Sequence, residues 1–343
     1  MKFNTILSII YINIKLIFLK IFNKKVVPYK ILINLTDLCN SRCAYCDIWK
    51  IKPKNEIDLI NIKNSLSGIE KDIYWMSFSG GEVTLVSYFY ELIDYLKDNL
   101  PNLKLIAFTT NALSVSKAEK YANYIKEKGF DSLITISLDG DEYHHDKIRG
   151  IKGNYQKCLK LYNILKSKKI PCHFGITVSD QNLNFIKKSY RNFVDTIKAV
   201  TFVHSDGIYN KKNSYNHDKE ILEGLEYIVK NYRIKKLSEI IEWIHIKISI
   251  KFLKKKREEN IIACDVLNSS IHINPNGDLK PCMFMPNVGN IKSNSIKDII
   301  LNQKTQSAKE LIKKNHCPKC WMNCYSPHSI MQNPFKSLWK AFF

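Results

Sequence analysis

No small-residue cleavage site of the A-x-A kind follows the apolar N-terminus of this 343-residue chain, which argues against a secretory signal. Long charge-free runs are missing there too. The longest, over 3–14, has twelve residues, short of the roughly 20 needed to span a bilayer. Acidic residues are scarce, 32 against 53 lysines and arginines, for a formal charge of +21. That imbalance suits an anionic partner such as nucleic acid, a membrane surface or an acidic substrate. The lysines are nevertheless dispersed through a chain rich in Lys, Ile and Asn, so compositional bias is a competing explanation. Ten cysteines without a secretory context point to a reducing compartment and to metal ligation over disulfides. The composition, 45% hydrophobic and 25% charged, is globular, and the length allows one large domain plus a smaller one.

The first 25 residues, MKFNTILSIIYINIKLIFLKIFNKK, are apolar but carry Lys15 and Lys20. On a helical wheel their polar residues do not collect on one face. Two readings stand: a helix packed over an open barrel edge, or an interfacial membrane helix echoed by the C-terminal NPFKSLWKAFF.

From residue 30 a short β-branched run, a loop and a helical stretch recur. The runs lie at 30–35, 73–78, 103–108, 133–138, 172–178 and 199–203, with helical stretches at 56–71, 87–100, 116–128, 155–168 and 183–197. Six βα units in series predict an α/β fold, a parallel sheet curling into a partial (β/α)6 TIM-like barrel, with functional residues in the loops after the strands. A polar loop, SDGIYNKKNSYN, leads to a helical basic region, and SSIHINPNGDLKPCMF reads as a hairpin around Asn276-Gly277 with Cys282 on its return strand. The expected organisation is an apolar basic helix over 1–29, the barrel over 30–205, a basic helical connection over 206–260, a small cysteine-bearing module over 261–330 and an apolar basic tail over 331–343.

Three cysteines, Cys39, Cys43 and Cys46, spaced C-x3-C-x2-C, fall in the loop after the first strand, and no fourth cysteine is near. Such spacing lets one tight loop turn three thiolates onto one face of an iron–sulfur cluster and leave one iron open; a zinc site would want a fourth protein ligand. The second strand ends in SFSGGEVTL. Its Gly80 and Gly81 permit close approach of a ligand to the backbone, and Glu82 is suited to accept a hydrogen bond from an ammonium group. The later strands end in FTTNA and in ISLDG, the latter followed by HHDKIRG.

The cysteine triplet, Tyr45 before its third cysteine, the GGE triplet and the SLDG…HDKIRG run resemble, in order, the radical S-adenosylmethionine (SAM) superfamily. The resemblance covers about 30–205. It implies a 4Fe–4S cluster on Cys39, Cys43 and Cys46, with SAM chelating the open iron. Tyr45 would lie near the adenine, Gly80, Gly81 and Glu82 at the methionyl amino group, and Ser137 and Arg149 at the ribose and carboxylate, with Thr177 and Asn182 as weaker candidates. It also implies reductive cleavage of SAM to methionine and a 5′-deoxyadenosyl radical, which takes hydrogen from a substrate carbon, and a reductase such as flavodoxin or ferredoxin. No catalytic side chain is assigned. The family often has proline after GGE; here Val83 stands there.

Cys264-x12-Gly277-x4-Cys282 followed by Cys317-x2-Cys320-x3-Cys324 resembles the auxiliary-cluster modules called SPASM and twitch, which use more cysteines when they hold two clusters. One auxiliary 4Fe–4S cluster is therefore expected, on four of these five thiols; a zinc site is the alternative. The substrate is left open between a peptide, a lipid-linked molecule and a small molecule. The expected setting is cytoplasmic, with a peripheral membrane contact if the N-terminal helix is interfacial and none if it packs on the barrel. The rival class is a basic RNA- or membrane-associated binding protein with structural metal, but nucleic acid does not explain GGE and SLDG at successive strand ends.

Overall fold

The computed structural model describes residues 2–22, 24–204 and 217–343; the stretch expected as the polar loop SDGIYNKKNSYN, residues 205–216, lies outside them. The chain opens with helix α1 (Phe3–Ile21). Six strands then pair in parallel in chain order: β1 (Lys30–Asn34), β2 (Trp75–Ser79), β3 (Leu105–Thr110), β4 (Asp131–Ser137), β5 (Cys172–Val178) and β6 (Ile197–Phe202). Between them lie α2 (Leu59–Ser65), α3 (Phe89–Asn99), α4 (Val115–Glu127), α5 (Glu142–Arg149), α6 (Asn154–Ser167) and α7 (Leu183–Ser189). This is the partial barrel that the spacing predicts, open at its edges.

The strand period decides which side chains are core. Ile31, Ile33, Met76, Phe78, Ile106, Phe108, Ile134 and Ile136 alternate along β1–β4 and are almost fully buried beneath the helices. The helix expected over 56–71 is shorter than its pattern. The Glu56 carboxylate accepts from Thr36 and from the Asp37 N–H, and the Ile57 N–H donates to Pro275 O at 2.7 Å, so the chain stays extended until Asp58 caps α2.

After β6 come α8 (Asp218–Asn231) and α9 (Leu237–Lys254), the expected helical connection. Strand β7 (Ser270–Ile273) then pairs in parallel with β1, Lys30 opposite Ser270, and β8 (Asp278–Lys280) and β9 (Gly289–Asn290) continue the same sheet. The predicted hairpin forms at Asn276-Gly277, where Gly277 takes φ +88°. The module thus extends the barrel sheet instead of standing apart from it. One detail differs from expectation: the last paired residue is Lys280, so Cys282 lies just past the return strand. Helices α10 (Ile296–Leu301), α11 (Gln303–Lys313), α12 (Ser326–Gln332) and α13 (Pro334–Phe342) complete the chain.

Helix α1 runs across the N-terminal rim of the barrel. The Lys2 backbone N–H donates to Asp131 at the start of β4, Ile12 and Leu16 pack with Tyr29, Tyr74 and Trp75 at the starts of β1 and β2, and Lys20 pairs with Asp265 ahead of β7 at 2.8 Å. Its nineteen residues are long and apolar enough to cross a membrane by length and composition, with mean hydropathy 1.6 over the best window, because Lys15 and Lys20 only dilute the apolar run.

Candidate active site at the open end of the barrel

The cysteine loop is held from two sides by main-chain bonds. On one side β1 and β2 continue past their ends: Leu35 N–H donates to Ser79 O, Gly81 N–H to Thr36 O at 2.7 Å and Glu82 N–H to Leu38 O at 2.8 Å. The two glycines are obligatory for that approach. A Cβ on Gly80, at φ +122°, would stand 2.3 Å from Thr36 O, and one on Gly81 would stand 2.0 Å from Leu38 O. What comes close to the paired glycines is thus the cysteine loop's own backbone. On the other side, the end of α5 offers carbonyls with no intrahelical partner. Ile148 O accepts from Ala44 N–H at 2.8 Å and Arg149 O from Arg42 N–H at 3.0 Å, while Gly150, at φ +67°, ends the helix where Arg42 crosses it.

These bonds bring Cys39, Cys43 and Cys46 within electrostatic reach of one another. Burial pushes the Cys39 thiol up and the Cys46 thiol to about 12. The Arg149 guanidinium stands 3.7 Å from Cys43 Sγ, which puts a positive charge beside the three sulfurs. Three converging thiols in one loop, with a cation at hand, are a fitting donor set for three irons of a cluster.

Asp139 of the SLDG run organises the rest. Its Oδ2 accepts from the Tyr45 hydroxyl and from Arg149 Nε, both at 2.6 Å, its Oδ1 from Thr177 N–H at 2.9 Å, and its carbonyl from Asn182 Nδ2 at 2.9 Å. Tyr45, Arg149 and Thr177 are thereby gathered around one fully buried carboxylate, and Asn182 around the carbonyl of the same residue. Asp139 was not among the residues that the sequence marks for a role; its signal is an acidic residue at a strand end, followed ten residues later by an arginine. His145 shapes this corner. Asp139 N–H donates to its Nδ1, its Nε2 lies 3.1 Å from Asn154 Oδ1, and burial lowers its imidazole to about 4.

Glu82 is buried beneath the same loop. Its Oε1 accepts from the Thr84 hydroxyl (2.8 Å), Thr84 N–H and the Thr110 hydroxyl (2.7 Å), and its Oε2 from Asn111 N–H (2.8 Å). Burial raises its carboxyl against the opposing pull of those bonds. Glu82 therefore ties the GGE turn to the end of β3, and one oxygen keeps spare acceptor capacity.

Beneath the mouth, partly exposed and buried residues alternate over 133–137 of β4 and 174–178 of β5. The barrel interior is therefore open and lined by small or polar groups, among them Thr109, Thr135, Ser137, His173, Thr177 and Thr201. Thr201 Oγ1, Ser270 Oγ, Trp75 Nε1 and both His272 ring nitrogens are buried without a hydrogen-bond partner among the described residues.

The second thiol group gathers beside β7 and β8. Cys320 donates to Cys282, which lowers the Cys282 thiol to about 7, and Cys264 and Cys317 lie within electrostatic reach of this pair. Cys324 is set apart: its charged neighbour is Lys30, whose Nζ donates to Cys324 O at 3.2 Å. Among the described residues no three His, Cys, Asp or Glu side chains converge tightly enough to chelate a single metal ion. Cys158 is a core residue and Cys172 is half-buried, both away from either group.

The sequence profile of the Radical SAM superfamily matches residues 33–193, and that of the SPASM iron–sulfur cluster-binding domain matches 264–325. The sporulation killing factor maturation protein SkfB of Bacillus subtilis (strain 168) is 25% identical over 162 residues, 46% of this chain and 37% of that protein. The chain thus spans about two-fifths of that relative's length. The GTP 3',8-cyclase of Clostridium acetobutylicum is 26% identical over 297 residues, covering 80% of this chain and 90% of the cyclase. Among solved structures, native anSMEcpe with bound AdoMet superposes with TM-score 0.62 over 92% of this chain and 97% of its own, at 17% identity. Streptococcus suis SuiB bound to precursor peptide SuiA gives 0.60 over 83% of this chain and 67% of its own, also at 17%. At those identities the structures establish a shared fold.

Proposed function

Because the chain belongs to the radical SAM superfamily and carries a SPASM-type module, we propose that it reductively cleaves SAM and takes hydrogen from a substrate carbon inside the barrel. The observation that carries this reading is the double anchoring of the Cys39–Cys43–Cys46 loop, by the GGE turn and by the end of α5, at the open end of the barrel. Bound there, the cluster supplies one-electron reduction of the sulfonium, which requires an electron donor such as a flavodoxin or ferredoxin.

The chain's own residues position and exclude. Tyr45, clamped through its hydroxyl, offers a ring face to the adenine. The free capacity of Glu82 and the GGE carbonyls suit the methionyl ammonium, and Ser137, partly exposed at the end of β4, would meet the ribose. Arg149 is committed to Asp139, so its remaining N–H groups are what is left for a carboxylate. Cys264, Cys282, Cys317 and Cys320 would hold the auxiliary cluster, with Cys324 outside it. The hydroxyl-lined interior and its unpaired buried polar atoms support a substrate that offers hydrogen-bonding groups. The peptides bound in two of the structural neighbours make a peptide a reasonable instance of that class.

The test is anaerobic reconstitution followed by quantification of 5′-deoxyadenosine. Replacing Cys39, Cys43 and Cys46 by alanine should abolish the product. Replacing Cys317 and Cys320 should leave uncoupled cleavage. Wild-type release by the triplet variant would show that the site is misassigned.

A further inference from the structure

Helix α1 has two apolar faces. Ile9, Ile12 and Leu16 pack inward, together with Thr5 and Asn13. Outward stand Phe3, Leu7, Ile10, Ile14, Phe18 and Ile21, spaced by three or four residues along the whole helix, with Phe3 72% and Ile21 67% exposed. The polar side chain that the periodicity cannot place, Asn13, is buried and satisfied: it donates to the Tyr29 hydroxyl at 3.1 Å and accepts from Gln332 Nε2 at 2.7 Å. Two polar groups, Thr5 and Asn13, lie on the buried face, while an apolar stripe runs along the exposed one, unlike an ordinary surface helix. An exposed stripe of this extent marks an interaction surface.

A second such surface follows α12, the helix against which Asn13 is bonded. On α13, Phe335 is 90% exposed, and Leu338, Trp339 and Phe342 are exposed with it, beside Lys336 and Lys340. Charge identifies the occupant. Residues 1–36 hold six lysines and residues 311–343 hold five, and neither segment contains an acidic residue. Lys15, Lys24, Lys25, Lys336 and Lys340 are exposed and form no ion pair among the described residues, although Asp72 lies within electrostatic reach of Lys15 and Glu259 within reach of Lys340. A second copy of this chain would bring these like charges together, whereas an anionic lipid surface complements them and takes up the Phe, Trp and Leu side chains.

We propose that α1 and α13 dock the folded protein on an anionic membrane surface, with α1 lying in the interface and not crossing it. The helix is pinned at both ends, by Lys2 N–H to Asp131 and by Lys20 to Asp265, and in the middle by Asn13; crossing would require breaking all three attachments. The docking stands independently of the catalytic reading.

Co-sedimentation of the full chain with phosphatidylcholine vesicles, with and without phosphatidylglycerol, tests it. Binding is expected to the phosphatidylglycerol vesicles and to fall by about tenfold as salt rises from low to physiological strength or above. The combined variant Leu7→Gln, Ile14→Gln, Phe18→Gln, confined to exposed positions, should lower vesicle partitioning by about 30-fold while unfolding at the wild-type midpoint. A second variant, Phe335→Ser with Trp339→Ser, should weaken it separately. Equal binding to both vesicle types, no binding to either, or release by detergent but not by salt would each overturn the proposal. So would sedimentation velocity showing a dimer that the α1 variant converts to monomer.

Discussion

Arg149 and Asp139 form a buried ion pair, Nε to Oδ2 at 2.6 Å, and the guanidinium lies 3.7 Å from Cys43 Sγ. The pair links the cysteine loop to the end of β4 and, through Thr177 and Asn182, to the end of β5. Asp139→Asn leaves a buried guanidinium without its countercharge and replaces one of two acceptor oxygens with an amide donor that faces donors. It should cost about 3–5 kcal/mol in denaturant unfolding. Tyr45→Phe removes one neutral donor and should cost about 1 kcal/mol. Similar losses for the two variants would show that the ion pair contributes nothing beyond an ordinary hydrogen bond.

A different prediction isolates the backbone contact. Gly81→Ala would force a Cβ to 2.0 Å from Leu38 O, a main-chain atom with no side-chain freedom to yield. Reconstituted iron should drop from about eight to about four per chain, since only the loop cluster is disturbed. Gly153→Ala is the control: its Cβ would meet nothing within 4 Å, and only its φ of +77° opposes the change, at about 1 kcal/mol. Full iron in Gly81→Ala would mean that the loop is not held as described.

Acid should unfold the protein through its buried imidazoles. His245 donates from Nε2 to Val200 O and accepts from Ser326 at Nδ1, and burial lowers it from 6.5 to about 4. As pH falls the unfolded chain takes up this proton first. The stabilisation is therefore complete above pH 6.5 and is lost as pH falls toward 4, on the order of 3 kcal/mol in all. Denaturant titrations across that window should give His245→Gln a flatter pH dependence than wild type. His173, also lowered to about 4 by burial, keeps a residual slope in the variant.

The barrel was legible because its strands are short β-branched runs whose outward members must be buried, as Ile31, Ile33, Ile106 and Ile134 are. The cysteine loop was legible because three thiols at C-x3-C-x2-C have few other uses. The reach of β7 to β1 was not. That pairing joins residues some 240 apart, Lys30 and Ser270, and no local pattern encodes it. Helix α1 misled for a physical reason: its buried face holds Thr5 and Asn13, and Asn13 takes Tyr29 and Gln332 from other segments as partners, so a helical wheel finds no polar side. Asp139 was hidden by its chemistry, since one carboxylate among several looks exposed until Arg149 and Tyr45 are folded onto it.

The course of α1 across the starts of β1, β2 and β4 gives the molecule a closed end and an open end. The cysteine loop, the GGE turn and Asp139 all lie at the opposite, open end, beyond the length of the strands. A protein resting on α1 therefore turns its mouth toward water, about 15–20 Å above the surface it sits on. An acyl chain buried in that bilayer has no path to the mouth. A substrate tethered to the membrane by a flexible polar segment, or arriving from solution, does.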